Sequence, residues 1–365
     1  MIMMKRLIYF AILMVIFVAC KKDDPTEDPV VITYDSTPYN LEYPSHFPPP
    51  DISSDNELTV QGVKLGRMLF HEEMLSRDGS QSCASCHNQN TGFSDTDQFS
   101  IGVNGLPGGR QAMTIANMAW NSNGFFWDGR APLLRDQSLL PIQDELEMDE
   151  TLENVVTKLS ANQAYKDQFM RAFGSESITS EKISLAMEQF MNSIISMDSK
   201  YDGYLSGTET LTETEERGRL LFFTEYNPFF PDDSGADCQH CHSGMNFEND
   251  QFMNNGLDTE ENIADDGRMN VTEDPNDKGK FKVPSLRNIA LTPPYMHDGR
   301  FQTLAEVLEH YNNGIQTSPT TDLALMATQE TGLMLTEQDI TDLVAFLETL
   351  TDYSFSANSE YGSPH

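Results

Sequence analysis

Positive charge is scarce in this chain: 23 Lys and Arg stand against 57 Asp and Glu over 365 residues, a formal net charge of −34 with the eight histidines neutral. A surface of that sign repels phosphate backbones, which excludes nucleic acid as a partner, and it attracts cationic partners or serves solubility alone. Long apolar runs are missing as well. The one candidate, residues 7–19, follows Lys5 and Arg6 and is too short to span a bilayer, so residues 1–19 read as a signal peptide. No stretch alternates apolar and polar residues well enough for a strand of a large sheet, which leaves a mainly α chain. Cysteine is rare, at five residues, and no histidine occurs between His87 and His240.

Four of the five cysteines share one pattern: Cys83-Ala84-Ser85-Cys86-His87 returns as Cys238-Gln239-His240-Cys241-His242. C-x-x-C-H is the attachment signature of c-type haem. Two thiols three residues apart reach the two vinyl groups along one porphyrin edge, and the next side chain, an imidazole, lies under the iron. The motifs predict two covalent haems c carried by Cys83, Cys86, Cys238 and Cys241, with His87 and His242 as proximal ligands. A zinc site made of both cysteine pairs and a thioredoxin-like redox pair share the C-x-x-C spacing, but neither accounts for the histidine after each pair. The fifth cysteine closes Ile16-Phe17-Val18-Ala19-Cys20, which resembles a bacterial lipobox. That implies cleavage before Cys20, lipidation of its thiol, and an exported, membrane-anchored lipoprotein facing the periplasm or the cell exterior. Residues 20–55, rich in Pro, Asp and Thr, are expected to be a flexible tether.

The chain matches itself. Leu58-Thr59 with Gly66-Arg67-Met68-Leu69-Phe70 corresponds to Leu211-Thr212 with Gly218-Arg219-Leu220-Leu221-Phe222, and Trp127-Asp128-Gly129-Arg130 to His297-Asp298-Gly299-Arg300. The expected fold class is therefore mainly α: two cytochrome c-like haem domains related by internal duplication, 56–205 and 206–355, with long cofactor-wrapping loops and a tail at 356–365. The spacing of Leu152, Val155, Val156, Leu159 and Phe169, and of Ile183, Met187, Phe190 and Ile194, predicts two amphipathic helices between the motifs. Thr212 with Glu215, and Thr336 with Asp339, predict capped helix starts, the second opening a helix that buries Ile340, Leu343, Val344, Leu347 and Leu350.

Phe126-Trp127-Asp128-Gly129-Arg130, the segment from Pro141-Ile142 to Glu147-Met148, Val283-Pro284-Ser285-Leu286-Arg287-Asn288 and Pro294-Tyr295-Met296-His297-Asp298-Gly299 resemble the bacterial di-haem cytochrome c peroxidases and their relative, the methylamine dehydrogenase maturation enzyme. The likeness runs over about 65–351. It implies that the N-terminal haem reduces hydrogen peroxide to water and that the C-terminal haem relays electrons to it. It also implies that Gln137 lies beside Glu147 in the distal pocket, that Trp127 lies on the electron path, and that a calcium ion bridges the halves at Gln111, Thr292 and Pro294. Peroxide reduction needs an open iron position and a group that moves a proton between the two peroxide oxygens. Glu147 is the candidate, although without the resemblance it is one more acid in the run Asp144, Glu145, Glu147, Asp149, Glu150.

The sequence departs from the family pattern in two places. Members whose distal histidine must leave the first iron carry it in a segment matched here by 100–105, where Val103 stands at its position. Valine cannot ligate iron, so the first haem is expected to be open without prior reduction. At the second haem, the position of a ligating methionine aligns with Tyr311, a tyrosine as in the maturation enzyme, with Met326, Met334 and His310 as substitutes. Arg130 and Arg300 pair either haem propionates or the adjacent aspartates, and His46, His71 and His365 receive no role. Three functions follow: a di-haem c peroxidase fed by a small, cationic redox-protein donor; a maturation-type enzyme that uses peroxide to oxidise a protein substrate, which Tyr311 favours; and a non-enzymatic di-haem electron carrier in which Glu147 is incidental.

Overall fold

Thr59 starts the first helix by accepting the Gly62 amide on its side chain, and the helix Val60–Phe70 buries Val63, Leu65, Leu69 and Phe70. In the computed structural model, which describes residues 31–364, this helix crosses Ser180–Asn192 at very short range. A Cβ on Gly66 would lie 2.0 Å from the Ala186 carbonyl oxygen and 2.6 Å from the Phe190 Cβ, so only glycine fits. The second half repeats the arrangement. A Thr212–Glu215 capping box opens Glu213–Phe223, which crosses Glu337–Glu348, itself opened by the Thr336–Asp339 box. There a Cβ on Gly218 would meet the Asp342 carbonyl oxygen at 1.9 Å.

Each crossing seeds a core. Leu65, Leu69, Phe70, Phe93, Phe169 and Phe190 belong to the first, and Phe222, Phe247, Leu343, Phe346 and Leu347 to the second. Strand is minimal: among the described residues the one sheet pairs Phe252–Met253 with Phe281–Lys282. From Thr33 onward the two cores form one compact unit. They meet at two buried asparagines with left-handed backbones, Asn117 (φ 58) and Asn288 (φ 59). The Asn117 amide donates to Ile194 O at 2.9 Å and its Oδ1 accepts from Ser196 N at 2.7 Å. The Asn288 amide donates to Leu350 O at 3.0 Å and its Oδ1 accepts from Asp352 N at 2.8 Å. Asn288 Nδ2 then donates to Ser196 Oγ at 2.9 Å and joins the halves.

The structure corrects four expectations. The periodic stretch from Leu152 to Phe169 is two helices, Leu152–Ser160 and Gln163–Phe173, because the Asn162 side chain caps a fresh start by accepting the Ala164 amide at 3.0 Å. The described part of the expected 20–55 tether is held in place. Tyr39 N bonds Leu58 O (2.9 Å) and Asp51 N bonds Ala119 O (2.7 Å), while Trp120 Nε1 donates to Pro48 O (2.8 Å), and Phe47 is buried under the Arg287 guanidinium at 4.8 Å. A segment too polar for a core of its own borrows one from its neighbours. The expected tail behaves likewise: Tyr361 packs into the first core with Phe355, Arg67 Nε donates to Gly362 O at 2.7 Å and His71 Nε2 pairs with Tyr361 O at 2.9 Å. Tyr201 in turn belongs to the second core, so the boundary between the cores falls before the expected residue 206. The signal peptide, Cys20 and His365 lie outside the described residues, among which no helix is long and apolar enough to cross a membrane.

Candidate active site

Ser82 and Ser85 cap one another around the single turn Cys83–Cys86, and the chain then turns so that His87 Nδ1 pairs with the Phe93 carbonyl at 3.0 Å. His242 Nδ1 pairs in the same way with the Phe247 carbonyl, also at 3.0 Å. Phe93 and Phe247 both adopt positive φ, which bends each loop back over its histidine. Desolvation lowers both imidazole pKa values, that of His242 to about 4. Neutral rings whose Nδ1 is committed to a carbonyl leave the Nε2 lone pair free for a metal. Burial pushes the Cys83, Cys238 and Cys241 thiols up to about 12 and raises Cys86 as well. No three His, Cys, Asp or Glu gather as a metal cluster among the described residues.

One cavity, of about 400 Å³, runs through both halves. Cys86, His87, Trp127, Arg130, Gln137 and Glu147 line it on one side, and Cys238, Cys241, His242 and Tyr311 on the other, among apolar walls that include Ile115, Leu134, Leu286 and Leu347. A large apolar slot with a free imidazole nitrogen and neutral thiols at each end fits a pair of thioether-bound porphyrins.

Glu147 is set apart from its acidic neighbours. The helix Leu134–Gln143, which carries Gln137, ends just past Pro141. The chain then folds back on it, with Met148 N to Pro141 O at 3.2 Å and Glu150 N to Ile142 O at 2.8 Å. The 100–105 loop clamps this turn: Val103 N donates to Glu147 O at 2.8 Å, and a Cβ on Gly102 would meet Leu146 O at 2.0 Å. Val103 itself is not among the cavity-lining residues. Asp149 is paired with Arg77 and Glu150 with Lys158, whereas Asp144 and Glu145 face solvent. Glu147 turns inward, and burial, reinforced by Asp144 and opposed by Arg130, pushes its carboxyl up to about 7. Its charge acts on both Cys83 and Cys86, which places it at the first pocket.

Trp127 is buried at 9% exposure and donates from Nε1 to Gln111 O at 2.8 Å, while its own carbonyl accepts from Lys282 N at 2.7 Å. It therefore bridges backbone from both halves. Tyr311 lies in a π-helical turn, His310–Gly314, that follows Leu304–Glu309. Burial raises its phenol pKa, Asn255 opposes, and the Cys241 and Cys238 thiols add, which places it at the second pocket. The substitutes fare worse: His310 is buried with Nε2 already on Asn255 O at 3.0 Å, Met326 is 40% exposed, and neither these two nor Met334 lines the cavity. Four methionines that sequence reasoning passed over do line it, Met113 and Met118 from the first half and Met253 and Met296 from the second.

Gln111, Thr292 and Pro294 line the cavity too. The Gln111 amide nitrogen is spent on Ser94 Oγ at 2.8 Å and Asp95 O at 3.3 Å, and the trio brings no carboxylate, so calcium gains no support. Arg130 stacks on Phe126 at 3.6 Å and holds Asp128 at 3.2 Å while lining the cavity. Arg300 is engaged by Asp298 and Asp258 outside the lining. Both arginines hold their adjacent aspartates, and Arg130 in addition faces the cavity. Sequence reasoning also missed Glu248, half-buried, and Lys282, buried, ionisable groups of the cavity wall that no motif or spacing marks.

A family model described as di-haem cytochrome c peroxidase matches residues 60–210. The methylamine utilization protein MauG of Methylorubrum extorquens is 34% identical over 296 residues, covering 81% of this chain and 79% of that protein. The cytochrome c551 peroxidase of Nitrosomonas europaea is 33% identical over 294 residues, covering 79% of each. Among solved structures, a MauG-like protein associated with microbial copper homeostasis superposes with a TM-score of 0.78 at 35% identity, covering 89% of this chain and 99% of that one.

Proposed function

The chain belongs to the di-haem cytochrome c peroxidase family, and from that premise we propose that it reduces hydrogen peroxide to water at the His87 haem, with electrons relayed from the His242 haem and supplied by a small redox protein. It is a cytochrome c peroxidase-type oxidoreductase with two haems c as cofactors. An iron held by His87 supplies, when bound, a coordination position and electrons for peroxide. The chain's own residues supply the rest. Glu147 takes the proton from one peroxide oxygen and delivers it to the other, which leaves as water, and Gln137 beside it orients the peroxide. Trp127, fixed by backbone from both halves, carries electrons between them.

The observation behind this reading is that Glu147, alone in its acidic run, faces the His87 cavity with a carboxyl titrating near 7. Val103, a residue that cannot ligate iron and does not line the cavity, supports a first iron that needs no reductive activation. The net charge of −34 favours a cationic donor, and the lipobox-like end favours an exported, lipid-anchored protein. The paired glycine crossings, histidine–carbonyl bonds and left-handed asparagines support an origin of the two halves by duplication. A second reading, peroxide-driven oxidation of a protein substrate, draws on Tyr311 at the second pocket. The test is peroxide-dependent reoxidation of a reduced small cytochrome by protein whose mass shows two haem additions. Two haems with no donor oxidation would favour the second reading.

A further inference from the structure

Resting on the two-haem reading, we infer that Glu248 is the proton-holding residue of the electron path: its carboxylate takes a proton from solvent as an electron enters at the His242 side, and returns it as that electron moves on toward peroxide. Charge balances at each stage. The overall reaction consumes two electrons from the donor and two protons per hydrogen peroxide and yields two waters.

The second half sends three ionisable side chains to the junction with Trp127. Glu248 and Lys282 line the cavity that Trp127 and His242 also line. The Lys282 side chain is only 4% exposed, and its Nζ lies 3.1 Å from the Asp250 carboxylate. It also donates to the Asn123 and Gly124 carbonyls at 3.2 Å each. Asp250 is further bound by Ser122 Oγ at 2.9 Å. One ammonium thus serves Asp250, and among the described residues no cation pairs with Glu248. Its Oε1 accepts from Asn246 Nδ2 at 3.0 Å, and Asn246 Oδ1 accepts from Asn117 Nδ2 at 2.9 Å, across the seam between the cores.

The charged groups facing this cluster are few. Burial pushes the Glu248 carboxyl up to about 7, Asp250 adds to the rise, and the Asn246 bond and Lys282 oppose it. Arg268, which caps the Asp128 and Gly129 carbonyls, acts on Lys282. A carboxyl so placed exchanges its proton near neutral pH. One unit charge arriving about 10 Å away, at an effective dielectric of about 20, changes its proton affinity on the order of tenfold. The plainer alternative makes Glu248 a structural acceptor for Asn246 and nothing more. Such a role leaves no trace in a redox potential.

The experiment is a redox titration of the mature di-haem protein across the neutral pH range. If the carboxyl is protonated more fully when the electron is present, the midpoint of the His242 haem falls as pH rises in the wild type. Glu248→Gln should flatten that dependence, Glu248→Asp should restore it, and Glu147→Gln should leave it in place because Glu147 serves the other pocket. An equal slope in wild type and Glu248→Gln, both carrying two haems, overturns the inference, as does a flat wild type. Should the Gln variant lose its haems, the wild-type infrared difference spectrum decides: a protonated-carboxyl band gained on reduction is expected, and its absence is equally fatal. Because the readout is a potential, missing peroxidase turnover would fault the proposed reaction and leave this result standing, whereas missing haems would fault the reading on which both rest.

Discussion

Replacing Glu147 by Gln keeps the shape of the side chain and removes its proton chemistry. With its carboxyl pushed up by burial to about 7, both the basic and the acid form are populated near neutral pH, and the acid form can hand its proton on. A carboxyl left at its ordinary value would be almost wholly ionised there and a weak donor. A positioned acid–base group is typically worth about a hundredfold to ten-thousandfold in rate, or about 3–5 kcal/mol of barrier. Glu147→Gln should lose that much peroxide turnover while keeping two haems. The pH profile of kcat/KM carries more detail. Because the reaction begins with the carboxylate, wild-type kcat/KM should rise with pH through about 7, and the variant should lack that inflection. Removing Arg130, whose charge lowers the Glu147 pKa, should move the inflection up, and Asp144→Asn should move it down. Steady-state assays with a reduced cytochrome read all three. Unchanged turnover in haem-replete Glu147→Gln would return the residue to the surface acids around it.

Three further outcomes follow from the geometry. Gly66→Ala and Gly218→Ala each gain about 1 kcal/mol of helix propensity, but they drive a methyl into a carbonyl about 2 Å away. Overpacking of that kind typically costs about 1–3 kcal/mol, so thermal unfolding should show a net loss of stability in both, and a gain in either would mean the crossings are looser than described. Tyr311→Phe should alter the low-spin signal of the oxidised protein and raise the potential of the second haem, since a phenolate favours the ferric state. An unaltered signal would pass the ligand role to Met253 or Met296. Phe47→Ala strips the ring from beneath Arg287 and should leave the N-terminal segment open to proteolysis without loss of haem; resistance to cleavage would restrict the hold to its backbone bonds.

Much of this site was legible in the chain. The haem motifs and the two capping boxes are local patterns, each mapping onto a feature fixed by neighbours within a few residues, and the matched glycines were legible because they recur, although what they meet, Ala186 and Asp342, is distant in sequence. Glu147 was harder to see, because its run of five acids reads as solvated surface, and only the fold-back beyond Pro141 turns this one toward the cavity. Glu248 and Lys282 were invisible for a related reason: their place in the cavity wall comes from the junction between the two halves, which residues distant in sequence build. The N-terminal segment was misread because composition reports what a stretch can bury by itself, and Phe47 is buried by Arg287 from the far half. The helix break at Asn162 was missed because apolar spacing continued across it while the cap did not.

The central claim is a reacting iron at His87 that stands open in the resting protein, and mixing the fully oxidised protein with peroxide or cyanide tests it most directly. Val103 engages the Glu147 carbonyl, and no other histidine lies between His87 and His240. The oxidised spectrum should therefore be mixed high- and low-spin, and the high-spin part should change at once on mixing, with no reduction beforehand. A protein that is entirely low-spin, or that ignores both ligands until an electron is added, would contradict the account.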